Sequence, residues 1–291
     1  MYGDLLELIS KAGLALHAIE IRRGGETELK LCFDGDIQYP IYSGTKSVTA
    51  TAVLIAQSEG KLDLSDKLCQ YLCRKYTVNI PEAFKQLDFR DFMTMTVGPY
   101  PFRPREAEAL VKEPVKDDWL ANVLALDIDH SDRRFHYSNI PAFLVAAACE
   151  NAVGKHLAKY LTPRLFVPLG FEDVIYQNAP GGGFYGATGM KMKISEFAAL
   201  GQLYLDPGKY NGARLIPEEL ARQAVTEQVK TPEGGYGYFF RTYEDGWYIS
   251  GKWGQASIIC PKKQTVITYL SEQPERSDEL LELVKAYIKT L

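Results

Sequence analysis

Ser43 and Lys46 stand three residues apart in the run Tyr42-Ser43-Gly44-Thr45-Lys46-Ser47. On a helix, positions i and i+3 share a face, so the lysine amine comes within reach of the serine oxygen. At a helix start that oxygen also meets the positive end of the backbone dipole, which favours developing negative charge. Desolvation would lower the pKa of the amine and let a neutral lysine take the serine proton. The plainer alternative is an N-cap serine followed by a solvated lysine. Ser58 and Lys61 form a second such pair, but Gly60 ends the helix between them, so they need not share a face.

Two further groupings follow along the chain. In Tyr137-Ser138-Asn139, a tyrosine beside lysines can lose or relay a proton, acting as general base and then acid, while the Asn139 amide can hold a lysine or a substrate carbonyl. The alternative is an ordinary buried tyrosine at a helix start. In Lys252-Trp253-Gly254, a lysine on a strand beside the nucleophile supplies fixed positive charge, and Gly254 allows close approach of a substrate to the backbone. The Gln255 amide can pair with that of Ser43 as an oxyanion hole. The alternative is a turn with an exposed lysine. Both groupings have copies elsewhere. Tyr176-Gln177-Asn178 runs into Ala179-Pro180 and three glycines, a poor support for a catalytic group, and Lys11-Ala12-Gly13 precedes the serine within the first helix.

The elements that must position these residues follow from periodicity and breakers. Residues 4 to 12 have helical spacing, and strands over Leu14 to Ile21 and Thr27 to Phe33 are joined by Gly24-Gly25. Gly44 to Gln57 forms a helix closed by Gly60. Residues 63 to 180 are mainly helical, with Pro-rich connectors at Pro99, Pro101 and Pro104 and a strongly apolar helix over Ala142 to Val153. Ser195 to Tyr204 is helical again. Gly237 to Arg241, Trp247 to Ser250, Ala256 to Cys260 and Thr265 to Leu270 form an antiparallel meander, and Asp278 to Thr290 a closing amphipathic helix. The expected fold is therefore α+β: one antiparallel sheet drawn from both ends of the chain and flanked by the terminal helices, with a helical domain inserted. The expected boundaries are 1–62 with 184–291 for the sheet domain and 63–183 for the helical domain, with the active site in the cleft between them.

Composition narrows the function. The 291 residues carry a net charge of −4, and no basic run exceeds two residues, which gives no electrostatic reason to bind nucleic acid. The longest apolar run, around Phe143 to Cys149, falls far short of the roughly 20 residues that span a bilayer. The start Met1-Tyr2-Gly3-Asp4-Leu5 lacks the pattern of a signal peptide, so the expected location is cytoplasmic, or secreted if a leader has been removed. Five scattered cysteines (Cys32, Cys69, Cys73, Cys149, Cys260) fit reduced thiols, and no metal or other cofactor is expected. The histidines form no H-E-x-x-H, and no G-x-S-x-G occurs. His136 abuts Tyr137, where a structural role is the simpler reading.

Taken together, serine with lysine at i+3, Tyr-x-Asn before an apolar helix and Lys-x-Gly late in the chain resemble the class C β-lactamase and penicillin-binding-protein superfamily of serine hydrolases. Glu59-Gly60-Lys61-Leu62-Asp63-Leu64, Gly186-Ala187-Thr188-Gly189-Met190, Phe197 to Tyr204 and Gly212 to Ile216 extend the similarity over nearly the whole chain. The resemblance implies a β-lactamase/transpeptidase-like fold. It implies Ser43 as acylated nucleophile, Lys46 and Tyr137 as the proton-transfer pair, Asn139 and Lys252 as positioning and electrostatic groups, and no need for a metal. Trp253 stands where relatives usually carry Thr or Ser, which favours an apolar acyl or ester group over a β-lactam or D-Ala-D-Ala peptide. Met95-Thr96-Val97-Gly98-Pro99 also departs from the family run, and no Glu-x-x-Leu-Asn motif is present. The expected activity is hydrolysis of a small-molecule or peptide amide, lactam or ester through an acyl-enzyme, with Asn139, Trp253, Gly254 and Gln255 binding substrate. The alternative is a penicillin-binding or sensing module with little turnover.

Overall fold

The computed structural model describes residues 2–72 and 80–291. Helix α1 (Gly3–Lys11) leads into the hairpin β1 (Leu16–Arg23) and β2 (Glu26–Cys32), turned at Gly24-Gly25. After the short β3 (Tyr39–Pro40), a 3-10 turn (Tyr42–Gly44) opens α2 (Thr45–Ser58). The middle of the chain holds α3 (Cys69–Leu72), α4 (Glu82–Lys85), α5 (Phe89–Met93), α6 (Trp119–Leu124), α7 (Ile140–Val153) and α8 (Leu157–Leu161). Then come β4 (Lys191–Met192), α9 (Ile194–Leu205), the small hairpin β5 (Lys209–Tyr210) and β6 (Ala213–Arg214), and α10 (Glu218–Val225). Strands β7 (Val229–Thr231), β8 (Gly234–Tyr236), β9 (Arg241–Tyr243), β10 (Gly246–Gly251), β11 (Gln255–Cys260) and β12 (Thr265–Ser271) precede α11 (Ser277–Thr290).

Eight strands form one sheet in the order β2-β1-β12-β11-β10-β9-β8-β7, antiparallel throughout. β1 pairs with β12, from Leu16 opposite Ser271 to Arg23 opposite Thr265, so the two ends of the chain are stitched together in the second and third strands from one edge of the sheet. Leu5 and Ile9 of α1 and Leu280, Val284 and Ile288 of α11 cover one face, over Ile19, Ile21, Ile258 and Ile267. The other face lies against α9, which packs on β1, β11 and β12, with Ala18, Ile249 and Leu270 in the core it shares with α2 and α7. Because both faces are covered, β11 and β12 are buried at every position and lack the polar alternation of a half-exposed strand. α7 is apolar nearly all round and runs through the interior, ending at Gly154 in the left-handed conformation.

The middle segment is less helical than its composition suggests. Among the described residues, its helices other than α7 are four to six residues long, separated by irregular chain over 94–103 and 125–139. Short capping interactions, such as the Asp88–Asp91 capping box of α5, take the place of long periodic runs. The strands and terminal helices fall within 1–62 and 184–291 and α3–α8 within 63–183, so the division at these boundaries is kept as a proposal; a continuous apolar core nonetheless joins α2, α7 and α9. Cys32, Cys149 and Cys260 are free thiols, whereas Cys69 is disulfide-bonded, which corrects the expectation of five reduced thiols; Cys73 lies outside the described residues. Among the described residues, no helix is long and apolar enough to cross a membrane, and no three His, Cys, Asp or Glu side chains are grouped to hold a metal ion.

Candidate active site

The chain turns sharply out of β3 before Ser43. Tyr42 takes φ 45°, a left-handed conformation unfavourable for a tyrosine, and the 3-10 turn it begins carries Ser43. Ser43 thus sits just ahead of α2, and Lys46 in that helix's first turn, so the two face each other across the junction. Lys46 Nζ lies 3.1 Å from Ser43 Oγ and donates to Asn139 Oδ1 at 2.7 Å and the Ala187 carbonyl at 2.8 Å. The side chain is 1% exposed. Thr49 Oγ1 donates to the Gly186 carbonyl and the Met190 amide donates to Thr45 Oγ1, which lays segment 186–190 along α2 and aims the Ala187 carbonyl at the amine. Gly186 allows this approach, since a Cβ there would collide with Ala146.

Tyr137 and Asn139 arrive from the start of α7. Ser138 Oγ accepts from the Ile140 amide and donates to the Pro101 carbonyl, while the Asn139 amide donates to the Phe102 carbonyl. These bonds fix the segment against its neighbour and hold the Asn139 side chain toward Lys46. The Lys46 ammonium lies 5.1 Å from the centre of the Tyr137 ring. Burial pushes the Lys46 pKa down, with the Arg241 charge adding to that and Tyr137 opposing it. For Tyr137, burial opposes ionisation, but the Lys46 charge, a hydrogen bond with Ser43 and the Arg241 charge outweigh it and bring the phenol below its ordinary value. The structure therefore gathers Ser43, Lys46, Tyr137 and Asn139.

The third grouping departs from expectation. Lys252, Trp253 and Gly254 form the turn between β10 and β11 and do not lie on a strand. Lys252 lines the cleft but is exposed; its ammonium stacks 4.4 Å from the centre of the Trp253 ring and makes no hydrogen bond or ion pair among the described residues. Trp253, at φ 66°, does not line the cleft; its ring meets Tyr42 edge-on at 5.3 Å and braces that residue from behind. Gly254 is required for another reason than substrate approach: it sits at φ 87°, and a Cβ would collide with Ser271 Oγ, which bonds the Gly254 carbonyl at 2.7 Å. Gln255 borders the cleft; its side chain is tied to the Ser271 backbone on β12, bonds that do not involve the main-chain amide expected to act with that of Ser43. The backbone beside the Ser43 turn belongs to β10, where Gly251 approaches the Ile41 carbonyl and Ile249 packs against Gly44.

A cleft of about 780 Å³ opens over these groups. Its walls include several residues that spacing alone misses: Phe102 and Arg103 from the irregular chain after α5, Arg241 on β9, and Tyr248 and Ser250 on β10. Arg241 could have been flagged only by assigning the strands correctly, because the sequence reading ends a strand where β9 begins. Of the alternative copies, Ser58 Oγ bonds the Ile55 carbonyl within its own helix, Tyr176 packs on His156 and Phe184, and Lys11 pairs with Glu7 at the surface. His136 bonds Asp132 at 2.9 Å and takes no part in the cluster.

The Beta-lactamase family model matches residues 21–287. No curated protein matches the chain. Among solved structures, a candidate 6-aminohexanoate-dimer hydrolase from Bacillus anthracis superposes with a TM-score of 0.78 at 20% identity, over 98% of this chain and 81% of its own. The octameric penicillin-binding protein homologue from Pyrococcus abyssi gives 0.76 at 16% identity, over 99% and 77%. The D-stereospecific amidohydrolase from Streptomyces sp. gives 0.70 at 18% identity, over 96% of each chain. At such identities the likeness establishes the β-lactamase/transpeptidase-like fold, and the family match over residues 21–287 establishes membership: the chain belongs to the Beta-lactamase family.

Proposed function

We propose that the protein is a serine hydrolase that cleaves an amide or ester through an acyl-enzyme on Ser43. The observation that carries this reading is the buried Lys46 amine, 3.1 Å from Ser43 Oγ with two other fixed partners. A neutral amine has two N–H groups and one lone pair. Asn139 Oδ1 and the Ala187 carbonyl accept the two N–H groups, which leaves the lone pair for the Ser43 hydroxyl. Lys46 then takes the Ser43 proton as the oxygen attacks the substrate carbonyl. Tyr137 shares that proton and returns it to the leaving group. Deacylation runs the same relay with water as nucleophile. Backbone amides at Ser43 and on the β10 segment beside it are the candidate oxyanion donors. Phe102, Tyr42 and Tyr248 give the cleft an aromatic lining that suits an apolar acyl or amine group, with Arg103 and Lys252 at its rim. The 6-aminohexanoate-dimer hydrolase and D-stereospecific amidohydrolase descriptions of two structural neighbours favour an amide among the possible bonds.

The test is covalent labelling. Fluorophosphonate and penicillin probes are incubated with wild type and Ser43→Ala, and intact mass is recorded. A single adduct on wild type, absent from Ser43→Ala, is expected; folded wild type unlabelled by either probe class would overturn the reading. Turnover of short p-nitrophenyl esters, nitrocefin and D-amino-acid amides then separates an enzyme from a binding module, which would acylate once and stop.

A further inference from the structure

We propose that Arg241 is the positioning residue that supplies the fixed positive charge facing Tyr137 and Lys46, the part that sequence reading gives to Lys252. The inference rests on the hydrolase reading above and deepens it. Register places Arg241 opposite Tyr236 on β8 and opposite Tyr248 on β10, so the three side chains stand abreast on one face of the sheet. Tyr137 covers that row from the helical side, and the Arg241 guanidinium lies 5.5 Å from the centre of its ring and 6.0 Å from that of Tyr236. Lys252, by contrast, points its ammonium at its own neighbour Trp253.

The chain before Arg241 is built to hold it there. Residues 237–240 are clamped from three sides: the Tyr238 amide donates to the Ala224 carbonyl at the end of α10, the Phe239 amide to the Met93 carbonyl at the end of α5, and Ser47 Oγ of α2 to the Phe239 carbonyl at 2.8 Å. Phe239 accepts φ 60° to do so, and Gly237 lies so close to the Ala224 carbonyl that a Cβ would collide with it. This turn therefore ties the start of β9 to the helix that carries Lys46.

The charges around Tyr137 favour this role. α2 brings Lys46 and Ser43, β8 brings Tyr236, and β10 brings Tyr248; Arg103 and Lys252 stand exposed at the cleft, and α11 adds Asp278, Glu282 and Lys285 to its lining, with Lys285 stacked 4.4 Å from the centre of the Tyr248 ring, so that Arg241 is the cation over the Tyr137 ring besides Lys46 among the described residues. Glu233, which also lines the cleft, pairs with Arg241, but its side chain is 69% exposed, so water and salt screen it while the guanidinium is sheltered by the Tyr137 and Tyr236 rings. A cation held at this distance favours the tyrosinate and disfavours the ammonium, and both effects push the Lys46–Tyr137 pair toward the proton-accepting form.

The sign of the test follows. Loss of the Arg241 charge raises the pKa of both groups, so the acidic limb of the pH–acylation profile moves to higher pH. With a fluorophosphonate probe, Arg241→Gln is expected to shift that limb upward by about one unit, Arg241→Lys to restore most of it, and Glu233→Gln to move it slightly downward. The same ordering is expected in a titration that needs no turnover: the ultraviolet tyrosinate signal of Tyr137, taken as the difference between each protein and its Tyr137→Phe counterpart. If wild type is unlabelled by every probe, the hydrolase reading fails while this titration still tests Arg241. A limb and a Tyr137 titration unmoved in Arg241→Gln, or moved equally by Lys252→Gln, would overturn the proposal; Arg241→Lys and Glu233→Gln keep the comparison open should Arg241→Gln not fold.

Discussion

Two turns meet at the cleft, and they are built on opposite principles. The turn carrying Ser43 leads into a buried helix, and its lysine is enclosed by three fixed oxygens. The turn carrying Lys252 leaves its lysine in water, stacked on Trp253, while Gly254 and the Trp253 carbonyl are bound to Ser271 and Gln273 at the end of β12. The first turn is organised around chemistry and the second around closing a hairpin. Three-letter likeness therefore has value in proportion to how much of the geometry is local. In the first grouping one helical turn delivers the amine to the oxygen. In the last, the decisive positioning comes from strand register, which the letters do not encode.

The sharpest way to break this contrast is to remove each side in turn. Ser43→Ala should abolish both the covalent adduct and turnover, as read by intact mass and ester hydrolysis. Lys46→Ala and Tyr137→Phe should each slow acylation by about 10²–10⁴-fold, the range for a positioned proton-transfer group, measured by stopped-time labelling. Acylation by wild type should rise with pH through one acidic limb, because the active form has lost a proton, and should level off below the ordinary range of lysine and tyrosine. Lys252→Ala should change the acylation rate less than about tenfold, since an exposed lysine at the rim gains little from a screened charge; a loss as large as that of Lys46→Ala would reverse the ranking of the two turns. The smallest effect on chemistry is expected from Gly254→Ala, which should instead lower stability by about 1–3 kcal/mol in denaturant titration, from strain at φ 87° and the Ser271 collision.

Much of the frame was legible before the structure. The hairpin at Gly24-Gly25, the helix after Ser43, the apolar α7, the C-terminal meander and the closing helix all appear within a few residues of expectation, because each has a period or a breaker of its own. The order of the sheet was legible only in outline, as strands from both ends. The irregular chain over 94–103 and 125–139 was not, since its shape is set by side-chain caps and by contacts such as the Asn139 amide with the Phe102 carbonyl. Gly237 to Arg241 departs from its sequence pattern for a related reason. Its aromatic, β-prone residues suggest a strand, but hydrogen bonds to α2, α5 and α10 bend it into a turn, and tertiary contact overrides propensity. That departure conceals Arg241. Trp253 was noticed for its identity, but its ring braces Tyr42 and does not form a cleft wall.

The pairing of β1 with β12 has a consequence for biosynthesis. A ribosome releases the N-terminal hairpin some 230 residues before its partner strand, so β1 waits with an unpaired edge while most of the chain is made. Closing a loop of that span is a slow, entropically costly event. The strands that carry Arg241 and Ser250 also emerge late, well after Ser43 and Lys46. Completion of the cleft around Ser43 should therefore coincide with the last stage of folding, and a protein stalled before β12 would both lack that cleft's finished wall and be prone to pair its open edge with another chain.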